Sequence, residues 1–138
     1  MPLHPELREA YEKALYVVLG EPELVIRIGE PNRDLDELLD AEGARTAAFI
    51  SAGNPGSAIR ADSANDVAYV ALLQSQEEAG YACHPGEGRD PKGAFPTERS
   101  ALVIGISRQD AERVGRVFEQ SAIVFIEKGK APELVVLV

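Results

Sequence analysis

The stretch Thr46-Ala47-Ala48-Phe49-Ile50-Ser51-Ala52-Gly53-Asn54-Pro55-Gly56-Ser57 has the fewest conformational options in this 138-residue chain. Ala47 to Ile50 is an apolar run too short for a helix and bounded by turn residues, which predicts a buried strand over roughly 45–52. Gly53, Asn54, Pro55, Gly56 and Ser57 then demand a tight polar turn. A loop leaving the end of a central strand is a common place for chemistry.

The flanking sequence can be read around that strand. Pro5 suits the first position of a helix, where a missing N–H costs nothing, and Leu7, Ala10, Tyr11, Ala14 and Leu15 make one apolar stripe. Tyr16 to Leu19 and Leu24 to Ile28, parted by Gly20-Glu21-Pro22, predict a β-hairpin. Asp34 or Asn32 caps a helix running to Ala41, with Leu35, Leu38 and Leu39 buried and Gly43 ending it. After the Asn54-Pro55 loop, Ser63 with Asp66 resembles a capping box opening a longer helix. Its packed face is expected to hold Val67, Val70, Ala71 and Leu73. Tyr81 to His84 predicts a short strand. From Pro85 to Glu98 three prolines and three glycines predict an irregular loop, and a loop of that length is usually functional or mobile. Ser100 to Ile106 predicts a strand, and Ser107 with Asp110 caps a helix packed through Ala111, Val114, Gly115 and Phe118. Gly115 inside that helix costs about 1 kcal/mol against Ala, which a close neighbouring element explains. A second hairpin, 122–126 with 134–138, ends the order. Hairpins mixed with crossover helices predict one α+β domain over 1–138: a single mixed β-sheet of about six to seven strands with three to four helices packed on it.

Composition narrows the function classes. A net charge of −9 disfavours nucleic acid, whose binding rests on Lys and Arg at phosphates. The single cysteine, Cys83, permits no internal disulfide and fits a reducing compartment. Met1 to Glu6 lacks the basic flank and apolar run of a signal peptide, and no segment has the length of a membrane span. The expected location is the cytoplasm, with no membrane partner, as a monomer or homodimer. Two distant histidines and one cysteine match no metal-ligand spacing, so neither metal nor cofactor is expected. Gly86-Glu87-Gly88-Arg89 lacks the Gly-Lys-Ser/Thr ending of a phosphate loop and opens no helix.

Ala52-Gly53-Asn54-Pro55-Gly56-Ser57, Asn65 near a helix start, Glu98-x-Ser100 before a strand and Gln120-x-Ala122 after a helix together resemble the domain-of-unknown-function 3293 family of short bacterial proteins. The likeness runs from about Tyr11 to Phe125. It implies no activity, because the family is uncharacterised. Family members commonly carry aromatics where Gly53 and Gly56 stand here, and often a Trp shortly before the position of Glu98. This chain has no Trp, and Phe95 is the candidate stand-in.

Candidate site residues follow from the residues themselves. Glu98, a carboxylate between a long loop and an apolar strand, is a candidate general acid or base if burial raises its pKa. An ion pair with Arg99, Arg60 or Arg89 is the competing reading. His84, at the mouth of the loop, is the second candidate for proton transfer. Cys83, adjacent on a strand, points to the opposite face and reads as a small buried hydrophobe. Asn54, Ser57, Asn65, Arg89 and Gln120 are the candidate ligand-binding residues, although Asn54, Ser57 and Asn65 taken singly read first as turn or capping groups. Two functions stay open. One is a small-ligand site, catalytic or not, formed by the Asn54-Pro55 loop and the 84–98 loop. The other is a non-catalytic interaction module pairing through an edge strand such as 134–138.

Overall fold

The computed structural model describes residues 3–138. Met1 and Pro2, at the start of the segment examined for a signal peptide, lie outside the described residues. The elements run α1 (Pro5–Lys13), β1 (Leu15–Val18), β2 (Leu24–Ile26), α2 (Arg33–Ala41), β3 (Thr46–Ser51), a 3-10 turn (Pro55–Ser57), α3 (Asp62–Glu78), β4 (Ala82–Arg89), β5 (Glu98–Ile104), α4 (Arg108–Val117), β6 (Ala122–Glu127) and β7 (Glu133–Val136). Seven strands form one sheet in the order β2-β1-β4-β5-β3-β6-β7. The fold is α+β, built on that sheet.

Every strand pairing is antiparallel, where a mixed sheet was expected. The crossover helices do join parallel strands, as their length requires. However, β3 and β4 have β5 between them, and β5 and β6 have β3 between them. Each split crossover leaves a slot that an antiparallel strand fills. The interior strand β3, one place from the middle of the sheet, thus pairs with two strands that both come later in the sequence.

Both faces of the sheet are covered. On one face Leu35 and Leu39 of α2 pack with Tyr16, Ile26, Phe49, Leu102 and Ile126. On the other, Leu72 of α3 and Ala111 of α4 pack with Ile50, Val103, Ile123 and Phe125. Both faces of β3 are therefore apolar, which is why Ala47 to Ile50 reads as a continuous run. Asn32 caps α2 by accepting from the Leu35 N–H, and Ser107 caps α4 by accepting from the Asp110 N–H. A Cβ on Gly115 would lie 2.5 Å from Leu137 Cδ1 and 2.9 Å from Ile123 Cγ2, so α4 sits against the sheet at glycine distance.

Three local expectations are corrected. First, Gly86 to Arg89 are strand, not loop: β4 continues through Pro85 because β1 and β5 flank it. Pro85 has no N–H to offer, but its carbonyl accepts from the Leu19 N–H at the end of the β1 ladder. The irregular part shrinks to 90–97. Second, α3 begins at Asp62 with Ala61 as its uncapped N-terminal flank, so Ser63 is not the cap. The Arg60 N–H is held by the Asn54 side chain, which fixes the chain entering the helix. Third, with that start Tyr69, Leu72 and Gln76 are buried with Ala68 and Leu73 partly so, while Val67, Val70 and Ala71 are exposed.

Candidate functional site

Cross-strand register gathers the site. Tyr16 faces Gly88, and Gly88 faces Glu98, so the three form one row on the α2-side face. The next row holds Val18, Gly86, Ser100 and Ser51. Helix α1 lies over the first row and has no buried residue of its own. Its stripe of Leu7, Ala10, Tyr11 and Ala14 instead roofs a cavity of about 100 Å³ whose wall includes Tyr16, Phe49, Asn54, Glu98 and Phe95. The side of α1 that reads as a core stripe thus faces a void.

Asn54 organises the polar wall. It sits buried in the left-handed region at φ 48°, a conformation that Asn tolerates better than most residues. Its Nδ2 donates to Glu98 Oε1 at 3.0 Å, and its Oδ1 accepts from the Arg60 N–H at 2.8 Å and from Asn65 Nδ2 at 2.9 Å. Its own N–H donates to Asn65 Oδ1 at 2.9 Å. Asn65, in the first turn of α3, therefore stands behind Asn54 and locks it. Ser57 and Glu119, also with positive φ, lie in the same corner, joined by the Gly56 N–H donating to the Glu119 carbonyl. Clustered left-handed non-glycine residues are a pattern of functional corners.

A chain of hydroxyls closes the roof. The Tyr11 and Ser57 hydroxyls share a hydrogen bond at 3.0 Å, and Ser57 and Ser121 share another at 2.7 Å. The Tyr16 hydroxyl donates to the Tyr11 carbonyl. Burial raises the pKa of both tyrosines, with the Glu98 charge adding to each. Gln120 Nε2 donates to the Gly53 carbonyl at 3.0 Å and so braces the Asn54 turn from the α4 side.

The electrostatics single out Glu98. Burial raises its pKa, opposed by hydrogen bonds from Asn54 and Ser51. None of the three arginines considered for it pairs with it. Arg99 is bound to Asp66 at 3.0 Å, Arg60 donates to Asn65 and the Ala64 carbonyl, and Arg89 is clasped by Glu23 and Glu87. Glu98 is a half-buried carboxylate on a cavity wall that faces no cation. Its stability signature follows. A carboxyl whose folded pKa is raised binds more protons folded than unfolded, so its contribution is most favourable below the unfolded value of about 4.5 and is lost as pH rises through the folded pKa. Urea unfolding between pH 4 and 7 is expected to show Glu98→Gln gaining on the native protein as pH rises. A difference that is flat over this range contradicts the burial of the charge.

Asn54, Ser57, Arg89, Glu98 and Gln120 all line the cavity. Asn65 touches it only through Asn54. The structure does not bring His84 there: it faces Leu102, four residues along β5 from Glu98, or about 13 Å away. His84 Nε2 instead meets Glu42 Oε2 at 2.7 Å, tying β4 to the end of α2. Cys83 points to the opposite face, among the residues packed under α3 and α4, and burial pushes its thiol up to about 11. Sequence reasoning missed Tyr11, Tyr16, Ser51 and Ser100, whose alternation along apolar elements reads as core. A larger groove of about 570 Å³ runs outside α1, where Glu9 pairs with Lys13 and Arg27 with Glu30. Among the described residues no three His, Cys, Asp or Glu side chains are grouped to hold a metal ion, and no helix is long and apolar enough to cross a membrane.

The family model described as "Protein of unknown function (DUF3293)" matches residues 50–123, more than half of the chain. The chain belongs to this family. No curated protein and no solved structure matches it. The DUF3293 segment spans the Asn54 turn, Asn65, Arg89, Glu98 and Gln120, whereas α1 and the Tyr16 strand lie outside it. In this DUF3293 member Gly53 leaves its side-chain space to Asn65, whose Cγ would lie 3.4 Å from a Cβ, and Phe95 stands on the cavity wall.

Proposed function

We propose that the protein binds a small, partly apolar molecule in the cavity beneath α1, with Glu98 as the group that recognises its polar end. The observation that carries this reading is a carboxylate in the wall of an apolar cavity, oriented by Asn54 and left without a cation. A group in that setting is suited to accept or donate a proton, so Glu98 is the candidate acid or base should the bound molecule react. The ligand is small: an apolar cavity of about 150 Å³ takes a benzene, and this one is smaller.

The net charge of −9 argues against a nucleic-acid partner, and the single cysteine is in keeping with a cytoplasmic protein. The competing reading, pairing through the edge strand, rests on β7 at the sheet's margin. That edge is four residues long, follows Pro132, and has Glu133 tied to Arg108, which are devices that discourage pairing.

Gly88 supplies the test. It lines the cavity, and a Cβ built on it meets nothing within 4 Å, so Gly88→Leu directs a side chain into that space. In a thermal-shift screen of small polar metabolites, compounds that raise the Tm of the native protein are expected to lose that effect in Gly88→Leu. Equal shifts in the two proteins, or none in the native one, overturn the proposal.

A further inference from the structure

Resting on the cavity beneath α1 as a ligand site, we propose that its ligand class is a small organic cation, a primary ammonium on a short apolar body. The argument is one of complementarity. Glu98 is an anionic group on the cavity wall, and Asn54 supplies a hydrogen bond to it but no compensating charge. An ammonium entering the cavity provides both a counter-charge and donors, which a neutral alcohol only half supplies.

The surroundings favour the same sign. The charge of Glu98 is felt at the Tyr11 and Tyr16 hydroxyls, so both rings stand near it, and Phe49 meets Tyr16 edge-on with centroids 5.4 Å apart. With Phe95, four aromatic rings line the same space. Rings around an anion form the usual environment for an alkylammonium group, whose charge lies against ring faces. An anionic ligand meets the opposite situation. Arg89 is the cation on the wall, and its guanidinium is held by Glu23 through two hydrogen bonds, at 3.2 and 2.9 Å, and by Glu87 at 3.3 Å. Asp90, the other carboxylate on the wall, accepts from the N–H groups of Lys92, Ala94 and Phe95, which occupies it in shaping the 90–97 segment. Besides Glu98, the ionisable groups lining the cavity are therefore two un-ionised tyrosines, an arginine already paired with two carboxylates and an aspartate capped by main-chain N–H groups.

Size sets the probe. A void of about 100 Å³ suits a chain of about four carbons with one polar end. Butylammonium and butan-1-ol differ in charge but hardly in shape, so a comparison isolates the cation. Amide-resolved NMR titration of the native chain near pH 7.5 is expected to show both compounds shifting signals of β4, β5 and α1. Butylammonium should bind at least tenfold tighter. That preference should shrink as pH falls and Glu98 takes up a proton, a measurement that needs no variant. Glu98→Gln should remove the preference. Equal affinity for the two compounds, or a preference that survives Glu98→Gln, overturns the cation assignment and leaves the cavity as a ligand site. Shifts confined to the outer acidic side of α1 likewise overturn it. If neither compound moves the cavity signals, both this inference and the proposed function fall.

Discussion

Replacing Asn54 with Ala is expected to destabilise the fold by about 3–4 kcal/mol, and urea denaturation measures it directly. The side chain donates to Glu98 and accepts from Arg60 and Asn65 in a buried corner. Each of the three lost bonds contributes about 1 kcal/mol net. Ala also resists the left-handed backbone at φ 48° by about 1 kcal/mol. Asn54→Gly removes that last strain and is expected to be less damaging than Asn54→Ala by about that amount. If the two variants are equally stable, the left-handed geometry is not what the asparagine is there to hold. A total loss below about 1 kcal/mol removes Asn54 from the centre of the site altogether.

The second large effect concerns Gly86 and Gly88, two residues apart on the same face of β4. A Cβ on Gly86 would stand 2.7 Å from the Val17 carbonyl oxygen and 2.8 Å from Phe49 Cε2. The carbonyl belongs to β1, paired to β4 on one side and β2 on the other, and cannot retreat without breaking a ladder. Gly86→Ala is therefore expected to cost about 3 kcal/mol, at the upper end for overpacking. Gly88→Ala, where the same Cβ meets open space, is expected to change stability by less than about 0.5 kcal/mol. Thermal unfolding of the pair gives the comparison. Similar losses in both would mean that the β1–β4 contact is looser than the Phe49 ring position implies.

These two sites also show what can be read from the sequence. The Asn54 corner was legible because Gly, Asn and Pro in succession leave the backbone few options, and the strand before it has no polar face. Caps at Asn32 and Ser107 and the close approach at Gly115 were legible for the same reason, each being a local backbone requirement. Gly86 was not. Proline and glycine in Pro85-Gly86-Glu87-Gly88 speak for a loop until β1 and β5 supply ladders on both sides, a tertiary effect that overrides local propensity. The direction of the strands was hidden likewise, since hydrophobic pattern cannot tell a crossover to the next slot from one that skips it. Tyr11 was hidden more deeply, because a stripe facing a cavity and a stripe facing a core have the same period. The loss of His84 from the proposed site is a matter of four residues of strand length, below what position in sequence resolves.

The placement of β3 between β5 and β6 bears on how the chain is made. As it leaves the ribosome, the first hairpin has its partner at once, but Thr46 to Ser51 has none until Glu98 and its successors emerge. Throughout that interval a strand that is apolar on both faces offers two open edges to any neighbour. Its synthesis is thus a period of aggregation hazard, and holding chaperones have an obvious segment to shield until the second half arrives.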